Sequence, residues 1–221
     1  MNDISLPQLS VVAEFDAPEP APQSLVFDGE RLWVGSWETK TIVAVDRTGR
    51  KGTHFAAPGR PVGGTFVNGR SWYVLSDEHD DRTVRSVDGH GHWGEDAFEC
   101  PHDAGSFLSW DGTDLWLSQR YNKRVLRLDP TSHDAAQVVP IGEQILGQTW
   151  IGDWLYLSLW LGKERGGARL ARVLGSDPSD LQILASSPSA MVSLAYDGDA
   201  LWSNDPRRGR VVAFSLPEVS V

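Results

Sequence analysis

Long apolar runs and cysteine are both scarce in this sequence of 221 residues. No apolar run approaches the roughly 18–20 residues that a membrane-spanning helix needs, so we expect no membrane partner. The single cysteine, Cys100, cannot form an internal disulfide, which agrees with a reducing compartment. The first ten residues, MNDISLPQLS, have neither a basic start nor a long apolar segment, so we expect no secretory signal. The sequence therefore predicts a cytoplasmic protein.

Basic residues are in the minority as well. The 20 Lys and Arg residues stand against 30 Asp and Glu residues, which gives a net charge of −10 at pH 7. Binding to phosphate backbones requires a basic surface, so we expect no nucleic-acid partner. The chain is too apolar to be disordered, because 40% of its residues are hydrophobic and ten are tryptophan. Its length is compatible with one large all-β domain or with two small domains.

One motif recurs five times along the chain, a tight turn followed by an apolar, aromatic-rich strand. The copies read FDGERLWVGSW from Phe27, VNGRSWYVLSD from Val67, WDGTDLWLSQR from Trp110, WIGDWLYLSLW from Trp150 and YDGDALWSNDP from Tyr196. Their turn positions lie 40, 43, 40 and 46 residues apart. Four of the turns read Asp-Gly or Asn-Gly, which supply the positive-φ residues of tight hairpins. A regular period of this length predicts a repeat fold.

Each repeat contains several predicted strands. In the first repeat, Pro22–Phe27 enters the turn, Arg31–Ser36 leaves it, Thr41–Asp46 follows, and Thr53–Ala56 forms a more variable outer strand. Four strands in about 43 residues, repeated five times, predict an all-β, five-bladed β-propeller with four antiparallel strands per blade. The predicted blades of this single domain span residues 22–57, 61–99, 104–141, 145–185 and 189–216.

The two ends of the chain predict how the ring closes. The fifth repeat ends after its third strand, near Leu216, and an unpaired strand at Leu9–Asp16 precedes the first blade. Placing this strand outside the last blade completes the fifth sheet and covers an exposed edge.

Aromatic residues recur at one position of the repeat. Trp33, Trp116 and Trp202 follow their turn residues by five positions, and Tyr73 and Tyr156 are the equivalents in the second and fourth repeats. We expect all five side chains to pack between blades, where they would bury large apolar areas.

The repeat pattern resembles a known class of propellers. The sequence P-x-x-L-x-x-D-G-x-x-L-W-V, followed by I-x-x-V-D-x-x-G, is similar to streptogramin lyase-like, NHL, YVTN and lactonase-type propellers over essentially the whole chain. This resemblance implies architecture only, because such propellers include enzymes, ligand binders and docking platforms. Streptogramin lyase-like chains often carry a glutamate two residues past the L-W-x segment. The equivalent positions here are Ser36, Ser76, Gln119, Leu159 and Asp205, so no catalytic residue transfers from that family.

The resemblance implies a ligand site at the channel mouth, on the face opposite the Asp-Gly turns. The loops and inter-blade links expected there differ from blade to blade, as a pocket for an asymmetric small molecule requires. Drift of solvent-exposed loops would give the same irregularity. The ligand-binding candidates are Trp37, Asp77, His79, Gln119, Arg120, Tyr121, Gln148, Trp160 and Asn204. Trp37 and Trp160 are candidates for pocket walls, because the repeat does not demand an aromatic residue at their positions.

The catalytic candidates are His102, Asp103, Glu38 and Asp205. Histidine can move a proton near neutral pH, and the adjacent carboxylate of Asp103 would orient the His102 ring. Glu38 and Asp205, with Arg120, would polarise or orient a substrate. The alternative is that His102 only caps backbone groups in the link between two blades.

A divalent cation, Ca²⁺ or Mg²⁺, is a further hypothesis. Glu38, Asn204 and Asp205, together with Glu143, could form a carboxylate–amide site resembling that of lactonase propellers. His79 lies in an acidic run, Asp77–Asp81, that could also collect a cation, although a solvated hairpin tip explains the same run.

Two functional hypotheses follow. In the first, the protein is a small-molecule enzyme, a lyase, hydrolase or isomerase, that uses His102 as its general acid–base at the channel mouth. In the second, it is a non-catalytic module that binds a ligand or a protein through Trp37, Trp160, Arg120 and Tyr121, because exposed aromatic and arginine residues are typical anchors at interfaces.

Overall fold

The computed structural model describes residues 6–162 and 166–217, with Asp103 described by its backbone alone. Apart from one 3-10 turn at Pro101–Asp103, the regular structure of these residues is β-strand. The strands are β1 Val11–Asp16, β2 Pro22–Phe27, β3 Leu32–Ser36, β4 Thr41–Val45, β5 Lys51–Ala56, β6 Arg60–Val67, β7 Arg70–Ser76, β8 Arg82–Val87, β9 Trp93–Glu99, β10 Leu108–Trp110, β11 Leu115–Gln119, β12 Arg124–Leu128, β13 Ala135–Pro140, β14 Ile145–Ile151, β15 Trp154–Trp160, β16 Ala168–Leu174, β17 Asp177–Ser187, β18 Val192–Tyr196, β19 Leu201–Asp205 and β20 Arg210–Phe214.

These strands form five antiparallel sheets of four strands each. The strand orders are β2-β3-β4-β5, β6-β7-β8-β9, β10-β11-β12-β13, β14-β15-β16-β17 and β18-β19-β20-β1, which we number as blades 1 to 5. The first strands of successive blades, β2, β6, β10, β14 and β18, contact one another in a ring around a central channel. The predicted five-bladed propeller is therefore confirmed. No helix among the described residues is long and apolar enough to cross a membrane.

The amino-terminal strand closes the ring as predicted. In β1, Phe15 pairs with Val211 and Asp16 pairs with Arg210, so β1 is the outermost strand of blade 5. Just before it, Gln8 forms a parallel bridge with Ser186 on the outermost strand of blade 4. The start of the described chain therefore contacts two neighbouring blades.

An aspartate hydrogen-bonds each of three hairpin turns to the strand that follows. Oδ1 of Asp111 accepts the backbone N–H groups of Thr113 at 2.8 Å and Asp114 at 2.7 Å, and Oδ2 accepts the indole N–H of Trp116 at 2.8 Å. Asp28 and Asp197 make the same contacts with Trp33 and Trp202 in blades 1 and 5. The repeated Asp-Gly-x-x-L-W pattern is thus a hydrogen-bonded unit that fixes the indole against its own turn.

Paired aromatic rings fill the gaps between blades 1, 2 and 5 and their neighbours. On the face that carries the indole, the outermost strand of each of these blades contributes a phenylalanine that pairs with a residue of the third strand. The pairs are Phe55 with Ile42, Phe98 with Val84 and Phe15 with Val211. The ring centroids are 5.5 Å apart for Trp33–Phe55, 6.4 Å for Trp72–Phe98 and 5.7 Å for Trp202–Phe15. Blade 3 differs, because Val125 pairs with Val139 and the ring beside Trp116 is Trp150 of blade 4, at 5.2 Å.

The structure corrects one equivalence predicted from the repeat. Tyr73 is fully buried, as expected, but it packs with Trp33 in the cluster between blades 1 and 2. The side chain that faces blade 3 in the manner of Trp33 is Trp72, which packs with Val84 and Phe98. The cause is the register of the hairpin, because Thr65 pairs with Trp72 as Val26 pairs with Trp33, which is an offset of 39 residues. The Asn68-Gly69 turn therefore lies one position later in its hairpin than Asp28-Gly29, and since strand side chains alternate between faces, this single position exchanges the roles of Trp72 and Tyr73.

Glycine permits the innermost strands of blades 2 and 3 to approach closely. A Cβ at Gly63 would lie 2.5 Å from the carbonyl oxygen of Ser106 and 2.7 Å from Cα of Phe107. Any other residue there would push β6 away from the chain that leads into β10.

We predict that ring closure depends on Phe15. Replacing Phe15 with Ala removes a ring that is 9% exposed and packs on Trp202, so the free energy of unfolding should fall by about 3 kcal/mol. The matched control is Val12→Ala on the same strand, where the side chain is 58% exposed and the change should stay within about 0.5 kcal/mol. Urea unfolding measures both, and equal effects would show that β1 does not hold blade 5 through its buried face.

A pH-dependent contribution is predicted at the β4–β5 turn. Hydrogen bonds from the Thr48 hydroxyl and from the backbone N–H groups of Arg50 and Thr48 lower the pKa of Asp46 to about 2. The pKa of an aspartate in the unfolded chain is about 3.9, so the pKa of Asp46 is lower in the folded chain. The ionised carboxylate therefore stabilises the fold above pH 4, and this stabilisation is lost as the pH falls toward 2.

The test compares Asp46→Asn with the natural protein by urea unfolding between pH 7 and pH 2. The difference in stability should be full at pH 7, shrink below about pH 4 and be mostly lost at pH 2. The control is Asp96→Asn, an exposed carboxylate on β9 with no hydrogen bond among the described residues. A difference for Asp46→Asn that persists unchanged to pH 2 would contradict the assignment.

Candidate functional site

A cavity of about 280 Å³ opens at the end of the channel opposite the Asp-Gly turns. We call it the channel-mouth cavity. Its lining comes from the loops that follow second strands, from the inter-blade links and from the beginnings of innermost strands. These residues are Ala21, Gln23, Trp37, Val62, Arg82, Ser106, Phe107, Arg120 and Tyr121. A smaller cavity of about 100 Å³ adjoins it and shares Arg82, Ser106, Arg120 and Tyr121.

Arg82 is held in a fixed orientation at the start of β8. Its Nε donates to Oδ1 of Asp80 at 2.8 Å, and its Nη1 donates to the carbonyl oxygen of Gly105 at 2.9 Å. Its Nη2 lies 2.6 Å from the same Asp80 oxygen, as part of the ion pair, and the side chain is 13% exposed. Two of its five N–H groups therefore have hydrogen-bond partners, and the guanidinium is oriented before any ligand arrives.

Arg120 has aromatic neighbours and no carboxylate partner among the described residues. Its Cζ lies 5.3 Å from the ring centroid of Tyr121 and 5.8 Å from that of Trp160. Its Nε is buried and has no hydrogen-bond partner in the described part of the chain. Because a buried charged donor without a partner costs free energy, Arg120 favours an incoming acceptor.

Trp37 forms the opposite wall of the cavity. Its ring centroid lies 5.3 Å from Cζ of Arg60 and 6.0 Å from Cζ of Arg82. Its backbone N–H donates to the carbonyl oxygen of Ala21 at 3.0 Å, which ties the loop after β3 to the link before β2. Guanidinium groups thus alternate with aromatic rings around the mouth, an arrangement stabilised by cation–π attraction.

The local charge is positive although the protein as a whole is acidic. Asp80 is the carboxylate beside the two cavities, facing Arg60, Arg82 and Arg120. Burial alone would raise the pKa of Asp80, but hydrogen bonds from the Ser76 hydroxyl and from Arg82 outweigh it and lower that pKa. Asp80 is therefore ionised near neutral pH and compensates one of the three arginines.

Three of the four predicted catalytic residues, His102, Glu38 and Asp205, do not line the channel-mouth cavity. His102 is exposed, lies in the left-handed region with φ 59° and makes no side-chain hydrogen bond among the described residues. The Asp103 side chain lies outside the described part of the structure. Glu38 is exposed on the loop after β3. Asp205 is buried, and its Oδ1 accepts the backbone N–H of Arg208 at 3.3 Å within the β19–β20 turn.

The three predicted amide residues are buried and hydrogen-bonded to the backbone. Nε2 of Gln119 donates to the carbonyl oxygens of Pro101 and Ala104 at 2.6 and 2.7 Å. Nε2 of Gln148 donates from blade 4 to Oγ of Ser109 and to the carbonyl oxygen of Trp116 in blade 3, at 3.0 and 2.9 Å. Nδ2 of Asn204 donates from blade 5 to the carbonyl oxygen of Ser24 in blade 1 at 3.1 Å. These contacts give the amides positions in the scaffold, and Gln119 also borders the smaller cavity.

The predicted cation ligands do not converge among the described residues. Oδ1 of Asp77 accepts the backbone N–H groups of His79 at 2.8 Å and Asp81 at 2.9 Å, so it caps its own hairpin loop, whose tip is exposed. Glu143 pairs with Arg169. Within residues 6–162 and 166–217, no three His, Cys, Asp or Glu side chains are grouped so that they could hold a metal ion.

Arg82 is the functional candidate that sequence reasoning did not select. Arginine recurs at the start of the third strand as Arg124 and Arg210, which bind Gln119 and Asp16. The repetition therefore makes Arg82 look like a scaffold residue. Arg82 lies at the cavity because Asp80, two positions earlier, holds it and because Gly105 and Ser106, which also line the smaller cavity, are small. No single residue in the sequence indicates this.

Comparisons with known proteins identify the fold. No family model matches the chain, and no curated protein matches it by sequence. Among solved structures, glutaminyl cyclase from Myxococcus xanthus is similar with a TM-score of 0.72 at 10% identity, over 98% of this chain and 100% of that one.

Two further structures are similar at a TM-score of 0.58. They are the PQQ-bound aldose sugar dehydrogenase of Streptomyces coelicolor, at 15% identity over 94% of this chain and 98% of that one, and the calcium-binding protein regucalcin of Agrobacterium tumefaciens, at 11% identity over 98% of each chain. At these identities the likenesses show the β-propeller fold alone, and the activity has to be argued from the site.

Proposed function

We propose that this propeller binds a small organic anion, a carboxylate carried on an apolar or aromatic body, at the channel-mouth cavity. The observation that carries the proposal is the presence of two guanidinium groups, Arg82 and Arg120, in one cavity whose lining includes no carboxylate. In a protein with a net charge of −10, such a local concentration of positive charge would draw anions to this end of the channel.

The two arginines contribute in different ways. Arg82 is already oriented by Asp80 and Gly105, so it adds a fixed donor at little entropic cost. Arg120 has an unpartnered Nε, and a planar guanidinium matches a carboxylate with two parallel hydrogen bonds. Together they would hold a carboxylate between opposite walls of the cavity.

The remaining walls fit the body of such a ligand. Trp37, Val62 and Phe107 supply apolar surface, while Gln23 and Ser106 add polar groups that could fix its orientation. This combination of apolar walls with a few placed polar groups is typical of small-molecule sites. A volume of about 280 Å³ limits the ligand to a single ring or a short chain.

We favour binding over turnover. The enzymatic hypothesis, a lyase, hydrolase or isomerase step, requires a group that can exchange a proton at the ligand. His102 and Glu38 lie outside the cavity lining, and Asp80 is committed to Arg82 and Ser76 as a carboxylate. The similar structures include enzymes as well as a calcium-binding protein, so they are compatible with either hypothesis.

Calorimetric titration with benzoate and with benzamide tests the proposal. The two probes share ring and shape, but only benzoate carries a charge, so benzoate should bind and benzamide should bind at least about tenfold more weakly. Arg120→Gln should weaken benzoate binding by about tenfold or more. Arg120→Lys should recover part of the lost affinity, because lysine keeps the positive charge but cannot donate two parallel hydrogen bonds as a guanidinium does.

The matched control is Arg207→Gln, an exposed arginine with no ion pair among the described residues, on the β19–β20 turn of the same face. It should leave the Kd unchanged. Raising the salt concentration should weaken benzoate more than benzamide, because salt screens charge interactions. Equal affinity for both probes, or equal loss in Arg120→Gln and Arg207→Gln, would reject the channel-mouth anion site.

A further inference from the structure

A second and larger opening lies between blades 3 and 4, on the face of the Asp-Gly turns. Its volume is about 570 Å³. It is lined by the first turn and outer strands of blade 3 and by both hairpin turns of blade 4, and we call it the blade 3–4 groove. It lies at the opposite end of the blades from the channel-mouth cavity, so nothing in the argument below depends on the proposed function.

Blade 3 lacks a ring that blades 1, 2 and 5 have. At the positions held by Phe55, Phe98 and Phe15 in blades 1, 2 and 5, the corresponding residue of β13 is Val139. Trp150 of blade 4 lies beside Trp116 instead, and both indoles line the groove. The turn of blade 4 that borders the gap is also short, with Gly175 and Ser176 between β16 and β17.

Two tryptophans form the apolar part of this groove. The ring centroids of Trp116 and Trp150 are 5.2 Å apart at an interplanar angle of 55°. Trp116 donates its indole N–H to Asp111, but Nε1 of Trp150 is buried and has no hydrogen-bond partner among the described residues. An indole N–H of this kind is stabilised by an acceptor supplied from outside.

The polar residues of the groove both donate and accept. Arg127 pairs with Asp114 at 3.1 Å, while its Nε is buried without a partner in the described part of the chain. Gln137 and Asp153 line the same groove and make no side-chain hydrogen bond among the described residues. Amide, guanidinium and carboxylate groups beside the partly exposed indole of Trp150 are suited to hydroxyl groups, each of which donates and accepts.

We propose that the blade 3–4 groove binds a neutral saccharide. A pyranose has an apolar C–H face that can pack on indole and a rim of hydroxyl groups that can meet Trp150, Gln137 and Asp153. Three aspartates stand against one arginine in the groove, which disfavours phosphate and carboxylate ligands. The volume falls within the range of about 300–1,000 Å³ for small-molecule sites.

The test follows the indole N–H resonances of ¹⁵N-labelled full-length protein during titration with D-glucose, D-galactose, maltose and cellobiose. At least one probe should shift the Trp150 resonance by saturable binding at up to about 50 mM, well above the ~1 mM Kd of a weak but specific site. Glucose 6-phosphate should bind more weakly than glucose. Absence of a saturable shift at Trp150 for all four neutral probes would overturn the proposal.

A matched pair of variants locates the binding. Val139→Phe adds the ring that blades 1, 2 and 5 carry to the buried cluster that contains Trp116 and Trp150, which should displace the two indoles that line the groove and raise the Kd by at least about tenfold. Val138→Phe makes the same change on the opposite face of β13, where the side chain is 48% exposed, and should leave the Kd unchanged. Equal Kd values for the two variants would overturn the assignment.

A further variant keeps the test decisive if Val139→Phe fails to fold. Trp150→Phe retains a ring and removes the unpartnered N–H, and it should also raise the Kd by about tenfold, with unchanged resonances for tryptophans of blades 1, 2 and 5 as evidence of folding. Binding that is unaffected by Trp150→Phe would place the saccharide elsewhere and reject the groove as its site.

Discussion

The structure depends on filling the gaps between blades that radiate from a common channel. Innermost strands can approach until backbone contacts backbone, as at Gly63, where a Cβ would lie 2.5 Å from a carbonyl oxygen. Toward the outside the blades diverge, and only large side chains can keep them in contact. Indole and phenyl rings from the same blade do this at three gaps. Burial of these rings provides much of the apolar stabilisation, and the side chains available for it decide where the molecule stays closed.

This constraint relates the scaffold to both candidate sites. The blade 3–4 groove occurs where Val139 replaces a ring, and the channel-mouth cavity occurs where Arg82 and Arg120 surround the channel beside Trp37, Trp160 and Tyr121. The two sites have opposite local charge. Arginines exceed carboxylates at the mouth, whereas aspartates exceed arginine in the groove. A protein of this net charge can therefore present surfaces with different ligand preferences on its two faces.

The fold could be predicted because its determinants are local. The Asp-Gly turns recur in sequence, and the structure shows why they do, since one aspartate at each of Asp28, Asp111 and Asp197 binds two backbone N–H groups and an indole. Ring closure by β1 was predictable from a strand missing at one end and present at the other. The repeat alignment failed at Trp72 and Tyr73, because the Asn-Gly turn lies one position later in its hairpin than the Asp-Gly turn of blade 1, and a shift of one residue exchanges the two faces of a strand.

The site was less predictable because its determinants are long-range. Trp37, Arg120 and Tyr121 were predicted as ligand-binding residues and line the channel-mouth cavity, although only a ligand can test that role. Gln119, Gln148 and Asn204 have the same polar character in sequence, yet their amides are hydrogen-bonded to strands or links up to a blade away. Arg82 has no local signal that separates it from Arg124 and Arg210. These distinctions depend on which backbone carbonyl groups lie nearby in three dimensions.

A crystal structure of the protein with 4-bromobenzoate would test the central claim most directly, because anomalous scattering locates the bromine without reference to the phases of the protein. The account predicts a bromine peak against the apolar wall of Trp37, Val62 and Phe107, with the carboxylate within hydrogen-bond distance of Arg82 and Arg120. Bromine peaks confined to other surfaces, with both guanidinium groups unoccupied at saturating ligand, would contradict it.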